Sequence, residues 1–490
     1  MPLILGAQSA VATGFAVDNS CRFNDDDSAY LSRSQGTPTG SGLKATVSLW
    51  LKPSYINPTT NSSGLFEIRN AAINASFDIG FDNGAFFAGV LQGSWIGYLV
   101  PNMLFRDWSA WYHICFVYDS AQSNDYDRMV IYINGKNVRT DLGGYSTETY
   151  VSQSTAVTAL AATSGYDQQW GRYAMTGASV IDGYMAECVF IDGEAYAPSD
   201  FGEFDEDSPT IWKPKNPSTL TFGDQGCYLE FGDSAALGDD TSGNTNDFTS
   251  SGLAAVDQCT DSPTNNFATW NPLARNPSDT GSLAEGNTAY TISSNAYNTK
   301  STLAMTAGKW YWEQKATLIN ARVGVNTSQA NNNKDSDDGS FYWGSTGNGG
   351  THTVTATDST NWQLTNNDTS SNISTLPGTA ISYTAGDIVM IALDVDTGKM
   401  WYGLNGTWFN SGDPGAGTTP VVTITNGSPD PFMVNGSSGS GSSSTITANF
   451  GNPPFAITSS NADGNGYGNF DYAVPTGFYA LCTKNLAEFG

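Results

Sequence analysis

Apolar and polar positions alternate with a period of two along most of this chain. Val47-Ser48-Leu49-Trp50-Leu51, Phe77-Asp78-Ile79-Gly80-Phe81 and the run from Val130 to Ile133 each send every second side chain to one face. This is the pattern of strands with one face toward a core. Val189-Phe190-Ile191-Asp192-Gly193-Glu194 reads as a strand entering a turn, and Cys227-Tyr228-Leu229-Glu230-Phe231 closes that set of strands. Long runs with apolar residues at the helical period are absent. One signature occurs in each half. Trp111-Tyr112-His113-Ile114-Cys115-Phe116-Val117-Tyr118 precedes Met129-Val130-Ile131-Tyr132-Ile133-Asn134-Gly135; Lys309-Trp310-Tyr311-Trp312-Glu313 precedes Ile388 to Asp394 and Met400-Trp401-Tyr402-Gly403-Leu404-Asn405-Gly406. Asn-Gly supplies the positive φ angles of a type I′ hairpin turn. The pattern predicts an all-β protein of two tandem jelly-roll sandwiches joined by an irregular connector.

The expected boundaries follow the texture of the chain. Residues 1–17 form a short arm, 18–235 the first sandwich, 236–300 a polar connector and 301–490 the second sandwich, with Gly/Ser/Asn-rich loops at 326–352 and 435–444. The connector is expected to be ordered by packing between the domains, because Phe248, Phe267 and Trp270 need burial.

Composition narrows the function. The chain has 490 residues, 53 of them Gly, and only 14% are charged. That suits turn-rich extracellular or virion β-proteins. The formal net charge is −27, and no basic residue lies between Lys399 and Lys484. Nucleic-acid binding and adhesion to anionic membranes both need clustered Lys and Arg, so neither is expected. Cys21, Cys115, Cys188, Cys227, Cys259 and Cys482 form no C-x-x-C pair, which argues against zinc. Buried reduced thiols are expected, with a Cys21–Cys227 bridge left open. Met1 to Val17 has no basic residue, so no secretory signal is expected, and no apolar run reaches transmembrane length. The expected site of synthesis is a cytoplasm, with lysis as the route out.

Three resemblances add to this. Phe105-Arg106-Asp107-Trp108-Ser109-Ala110-Trp111-Tyr112-His113, Ile131-Tyr132-Ile133-Asn134-Gly135 and Asp182-Gly183-Tyr184-Met185-Ala186-Glu187 resemble the laminin-G-like, concanavalin-A-like family. This resemblance implies a two-sheet jelly roll with glycan or protein ligands, and Ca²⁺ in some members. Gly308-Lys309-Trp310-Tyr311-Trp312-Glu313, Val323-Gly324-Val325, Gly386-Asp387-Ile388-Val389, Trp401 to Gly406 and Asn449-Phe450-Gly451 resemble a SPRY domain, which implies a protein- or peptide-binding sandwich. Across the whole chain, Ser20-Cys21-Arg22-Phe23-Asn24, Ile211-Trp212-Lys213-Pro214-Lys215, the run Asp261 to Leu273 and the ending Gly477 to Leu486 are similar to proteins of marine tailed phages. That resemblance implies a virion protein, foremost a tail fibre or receptor-binding appendage contacting host glycan or protein. A capsid-bound head fibre or decoration protein is the alternative, and a glycan depolymerase a weaker one. The N-terminal arm would dock to other virion proteins. A homo-oligomer repeated on the particle would raise avidity.

Candidate ligand contacts are aromatics in loop-like contexts: Trp95, Tyr98, Trp170 and Tyr173 in the first half, and Tyr342, Trp343, Trp362 and Trp408 in the second. Each competes with the demand of a sandwich core for large rings. Asp239, Asp240, Ser242, Asn244 and Asn246 alternate short oxygen groups around Gly243, a pattern that suits Ca²⁺ or, equally, a set of Asx turns. Asp335-Ser336-Asp337-Asp338 invites the same two readings. No catalytic residue is expected. Glu203, Asp205 and Asp207 alternate as hydrolase carboxylates do, but Glu206 replaces an apolar residue and Pro198 and Pro209 bracket the run. His113 and His352 have no recognisable nucleophile partner in the sequence.

Overall fold

The computed structural model describes residues 14–54, 62–70, 72, 74–174, 179–275, 280–292, 298–317, 321–327, 351–356, 362–366, 369–372, 384–423, 431–438 and 443–490. The chain divides between Thr264 and Asn265 into two compact units. Both are β-sandwiches, as the two-residue period predicts. Among the described residues no helix is long and apolar enough to cross a membrane.

The N-terminal unit has strands β1 (Ser20–Phe23), β2 (Tyr30–Ser34), β3 (Lys44–Pro53), β4 (Ser63–Asn70), β5 (Ala75–Asp82), β6 (Ala85–Gln92) and β7 (Ser94–Pro101). They are followed by β8 (Tyr112–Asp119), β9 (Met129–Ile133), β10 (Lys136–Asn137), β11 (Tyr145–Thr149), β12 (Asp167–Trp170), β13 (Arg172–Tyr173), β14 (Ser179–Val180) and β15 (Gly183–Asp192). Last come β16 (Gly202–Phe204), β17 (Trp212–Pro214), β18 (Cys227–Leu229), β19 (Thr249–Ser251) and β20 (Gln258–Cys259). One sheet runs β10-β9-β8-β3-β15-β1-β20, with β18 also on β15; the other runs β11-β7-β6-β5-β4-β12-β2-β19. Val47, Leu49 and Leu51 from the first meet Phe66, Ile68, Phe77, Ile79 and Phe81 from the second in one core. Each such side chain removed from water contributes about 1.5–3 kcal/mol before entropy is counted.

The first sheet is buried on both sides. Trp50, Cys115, Val189, Ile191 and Tyr228 point away from the core and are covered by Phe15, Val17, Phe201, Trp212 and Phe222. This is why β3 is buried along nearly its whole length although its sequence alternates. His113 lies on that covered side. Its Nε2 is 2.8 Å from the Ser48 hydroxyl, between Trp50 and Trp212, and burial lowers its pKa to about 3. All six cysteines are free and buried, so Cys21 and Cys227 are not bridged.

The C-terminal unit has β21 (Ser282–Ala284), β22 (Ala289–Ile292), β23 (Asn298–Met305), β24 (Lys309–Ala316), β25 (Ala321–Thr327), β26 (Thr351–Ala356), β27 (Trp362–Asn366) and β28 (Thr369–Asn372). It continues with β29 (Ile388–Asp394), β30 (Lys399–Leu404), β31 (Thr407–Trp408), β32 (Val422–Thr423), β33 (Phe432–Ser438), β34 (Ser444–Asn449) and β35 (Tyr479–Ala480). Its sheets run β21-β22-β34-β24-β29-β30-β31 and β23-β33-β25-β26-β27-β28. Trp310 and Trp312 face the core, while Tyr311 and Glu313 face outward beneath the segment that carries Phe470. Glu313 accepts bonds there from Tyr311 Oη, Asn449 Nδ2 and the Asp471 and Tyr472 amides at 2.8–3.1 Å.

The segment 236–300 is not a separate connector. β19 extends the sheet at β2 and β20 pairs with β1. Asp257 bonds Arg22 at 3.0 Å and Asp261 bonds Lys52 at 2.6 Å, all four side chains buried. Phe248 sits in the N-terminal core, while Phe267 and Trp270 sit in the C-terminal unit's own clusters. The segment is shared out to the two cores.

The repeated Asn-Gly has a second role. Asn134 and Gly135 have φ of 49° and 73°, and Asn405 and Gly406 have 46° and 85°, as the hairpin turn requires. In both units the Asn also reaches sideways to the neighbouring strand. Asn134 Oδ1 accepts from the His113 amide at 2.7 Å, and Asn405 Oδ1 accepts from the Ile388 amide at 2.9 Å. The Asn amides return the bond to the carbonyls of the same two residues at 2.9 and 3.0 Å.

Candidate functional site

The outer face of the second N-terminal sheet differs from that of the first. Alternation sends Phe66, Phe77 and Ala88 into the core, so their neighbours Glu67, Asp78 and Gly89 must face outward. Strand register lines these up across the sheet as Gln169, Glu67, Asp78, Gly89 and Tyr98. A bulge in β7 completes the face. Val90 pairs with Gly97 but Leu91 pairs with Trp95, so Ile96 is the extra residue and packs against the core. Trp95 and Tyr98, three residues apart, thereby project from the same side.

Their rings form one cluster. Trp95 and Tyr98 have centroids 4.8 Å apart with planes tilted 46°. Phe87 stands 6.1 Å from Trp95, 5.5 Å from Tyr98 and 5.5 Å from Tyr173. Phe87 and Tyr173 are buried, while Trp95 and Tyr98 are half-exposed. Glycines make room for this arrangement. A Cβ on Gly89 would stand 2.4 Å from Trp95 Cζ3 and 3.1 Å from Tyr98 Cδ2, so both rings lie directly over Gly89. A Cβ on Gly64 would stand 2.0 Å from the Arg172 carbonyl, so β13 rests on the sheet itself and carries Tyr173 onto the face.

The polar part of the face is acidic and dry. Glu67 Oε2 accepts the Ala174 amide at 2.8 Å, and Arg69 Nη1 lies 3.5 Å from Glu67 Oε1. Asp78 Oδ2 accepts the Ser76 hydroxyl at 2.5 Å. Burial pushes both carboxyls above the usual carboxylate range. For Asp78 the Glu67 charge adds to this; for Glu67 the Ala174 amide and Arg69 oppose it. Burial, then the charges of Asp82 and Asp78, push the Tyr98 hydroxyl up to about 12, so it stays a neutral donor. Tilted half-exposed rings beside a neutral hydroxyl offer apolar faces for sugar C–H groups and a polar group for their hydroxyls.

Three of the four N-terminal candidates, Trp95, Tyr98 and Tyr173, therefore converge. Trp170 does not. It faces the core, fully buried, with its ring 4.4 Å from Phe66. Alternation along β12 puts Trp170 opposite in sense to Gln169, which takes the outward position instead. Trp408 is half-buried and packs edge-on against Tyr311 at 6.3 Å in the covered outer cluster of the C-terminal unit. Trp362 begins β27. Tyr342, Trp343 and the run Asp335 to Asp338 lie outside the described residues. Glu67, Asp78 and Phe87 were missed, although Asp78 stands at the outward position of an alternating strand.

The Asp/Asn-rich loop carries a dense set of its own hydrogen bonds. Asp240 accepts from the Tyr228, Ser242 and Asn246 amides at 2.9 Å each and from the Ser242 hydroxyl at 2.8 Å. Asn244 and Asn246 turn their Nδ2 groups onto the carbonyls of Gly223, Asp224 and Gly226. Asp239 is exposed. The Asp240 carboxylate and the Asn244 and Asn246 Nδ2 groups thus hold the loop together. Among the described residues no group of three or more His, Cys, Asp or Glu side chains is placed to hold a metal. Glu203 and Asp205 both meet Lys213 Nζ at 3.5 Å on the β16–β17 hairpin, and Asp205 also accepts from the Asp207 and Ser208 amides.

Residues 24–190 match the model of a family described as the concanavalin A-like lectin/glucanases superfamily, about a third of the chain. No curated protein matches the chain. Among solved structures, the chain is similar to the PSpry domain of TRIM65, at 16% identity and a TM-score of 0.26, over 37% of this chain and 91% of that one. It is similar to the SPRY domain of human HERC1, at 14% and 0.26, over 36% and 96%. It is also similar to the native heptameric SAP-like pentraxin from Limulus polyphemus, at 16% and 0.27, over 37% and 78%.

Proposed function

We propose that this chain is a binding protein without catalytic chemistry, whose N-terminal sandwich takes a saccharide on the outer face at Trp95 and Tyr98. The observation that carries this is the pair of half-exposed rings over Gly89, on a sheet whose partner sheet has its outer side covered by the chain itself. A carbohydrate ligand agrees with the lectin half of the matched family's description. The complete burial of Glu67 and Asp78 favours binding over hydrolysis, since a glycosidic bond has no path to either carboxyl. The setting we propose is a tailed-phage virion, as a tail fibre or receptor-binding appendage that touches host surface glycan. Its support is the motif-bearing runs Asp261 to Leu273 and Gly477 to Leu486.

The test is a glycan array probed with wild type, Trp95→Ala and Tyr98→Ala. Wild type should bind, and each variant should bind at least about tenfold more weakly, as loss of a central aromatic contact does. Equal binding by all three would remove the face from the site. Antibody label should fall on the tail of the particle; label on the head would make this a decoration protein instead.

A further inference from the structure

Beneath the rings lie two carboxylates that a saccharide on this face would not touch. Glu67 on β4 and Asp78 on β5 are direct cross-strand partners on one side of the sheet, and neither has exposed surface. Such partners hold their Cβ atoms about 4.5–5.5 Å apart. The charged and titratable groups around them come from each neighbouring element: Arg69 on β4, Asp82 on β5, Tyr98 on β7, and Arg172 and Tyr173 on β13. Arg69 reaches Glu67, whereas the Arg172 guanidinium lies over the Tyr30 ring at 4.6 Å. Glu67 holds the Ala174 amide. Asp78 Oδ1 is buried with no hydrogen-bond partner.

We propose that Glu67 and Asp78 together hold one proton, and that this singly charged pair is the positioning group that seats Tyr173 against Phe87 on the binding face. Two full charges side by side in a dry site, with Arg69 close to Glu67 and Arg172 acting only from over the Tyr30 ring, are not sustained; one carboxyl keeps its proton. The charge that remains strengthens the bond from the Ala174 amide, and that bond fixes the residue after Tyr173. Burial holds both carboxyls above their ordinary range, so above that range the folded pair keeps a proton that the unfolded chain has lost. The sign follows by linkage: the seat is firm at lower pH and loosens as pH rises through the second ionisation. The consequence for ligand binding rests on the saccharide face proposed above, but the seat is a property of the free protein.

Hydrogen–deuterium exchange of the full-length protein, read at Ala174 from pH 5 to 9 and divided by the intrinsic base-catalysed rate, tests the seat. In wild type the corrected rate should rise with pH, by up to about tenfold per pH unit between the ordinary carboxylate range and the second ionisation, and level off above it. Peptides from β29 should stay flat. Asp78→Asn, which leaves Glu67 as a lone carboxyl, should lose most of that rise at Ala174, and Asp78→Ala serves if the first variant does not fold. A flat wild type, or variants that titrate as wild type does, would overturn the proposal. Because no ligand is used, a positive result with an unreactive glycan array would sink the saccharide reading and leave the seat standing; the reverse pattern would do the opposite.

Discussion

Gly89 shows how much of this face depends on a single missing methyl group. With a Cβ only 2.4 Å from Trp95 Cζ3, Gly89→Ala must push the indole off the sheet. The expected cost is about 1–3 kcal/mol of stability, as for other overpacked sites, together with weakened saccharide binding. Thermal melts and titration of a glycan-array hit check both; an unchanged Tm with unchanged binding would refute the role given to Gly89. Glu187 is a second residue whose setting makes a prediction. It has φ of 50° at the bulge of β15, accepts the Tyr228 hydroxyl at 2.5 Å, and is pushed up to about 8 by burial, against the pull of that bond. Its folded pKa lies above the unfolded value, so the folded state binds the extra proton and stability falls as pH rises from about 5 toward 8. The share of this one group is on the order of 3 kcal/mol. Glu187→Gln should remove that share, so the stability gap between variant and wild type should move in the variant's favour between pH 5 and pH 8 in urea melts. A gap independent of pH would show that the carboxyl is not held protonated.

At the scale of elements, the Asn-Gly hairpins are both turn and rivet. Asn134 and Asn405 each exchange two bonds with one residue of the adjoining strand. Asn134→Ala and Asn405→Ala should each cost about 1–3 kcal/mol, because a strand amide loses its acceptor. Differential scanning calorimetry should show the loss confined to the unit that carries the substitution. Much of this was legible in the chain. Period-two alternation predicts the strands, and Asn-Gly predicts the turns, because both depend on neighbours in sequence. The outer faces were less legible. β3 alternates, yet Trp50 is covered by Phe15 and Val17 and by Trp212, more than 150 residues away, which no local pattern announces. Trp95 and Tyr98 were recognised as candidates, but their shared side depends on the extra residue Ile96, and a bulge leaves no signature in hydropathy. Trp170 was misassigned for a related reason. Its neighbours Asp167 to Gln169 are polar and read as loop, whereas tertiary pairing on both edges makes the stretch a central strand. The Asp/Asn-rich loop carries two meanings in sequence, because short polar side chains satisfy their own backbone as readily as they satisfy an ion.

At the scale of the molecule, where the first sandwich ends decides what can fold. Composition places the end near residue 235, because the chain then turns polar. Contacts place it at Thr264. The difference contains β19, β20, Phe248 and the two carboxylates that bond the buried cations Arg22 and Lys52. Buried ion pairs add little net stability while intact, but removing one partner costs about 3–5 kcal/mol because the other charge stays inside. A fragment 1–235 would lose both carboxylates at once, open the edge at β1, and strip Phe248 from the core. The combined loss is comparable to the whole stability of a typical domain, about 5–15 kcal/mol. Expressed alone, 1–264 should therefore give a cooperative melt, while 1–235 should be insoluble or bind a hydrophobic dye without a transition. The doubly substituted fragment 1–264 with Asp257→Asn and Asp261→Asn separates charge from chain length: it should melt well below the unsubstituted fragment yet still unfold cooperatively. If 1–235 melts as 1–264 does, the strap from Gly238 to Thr264 contributes nothing to the first sandwich, and the boundary belongs where the composition changes.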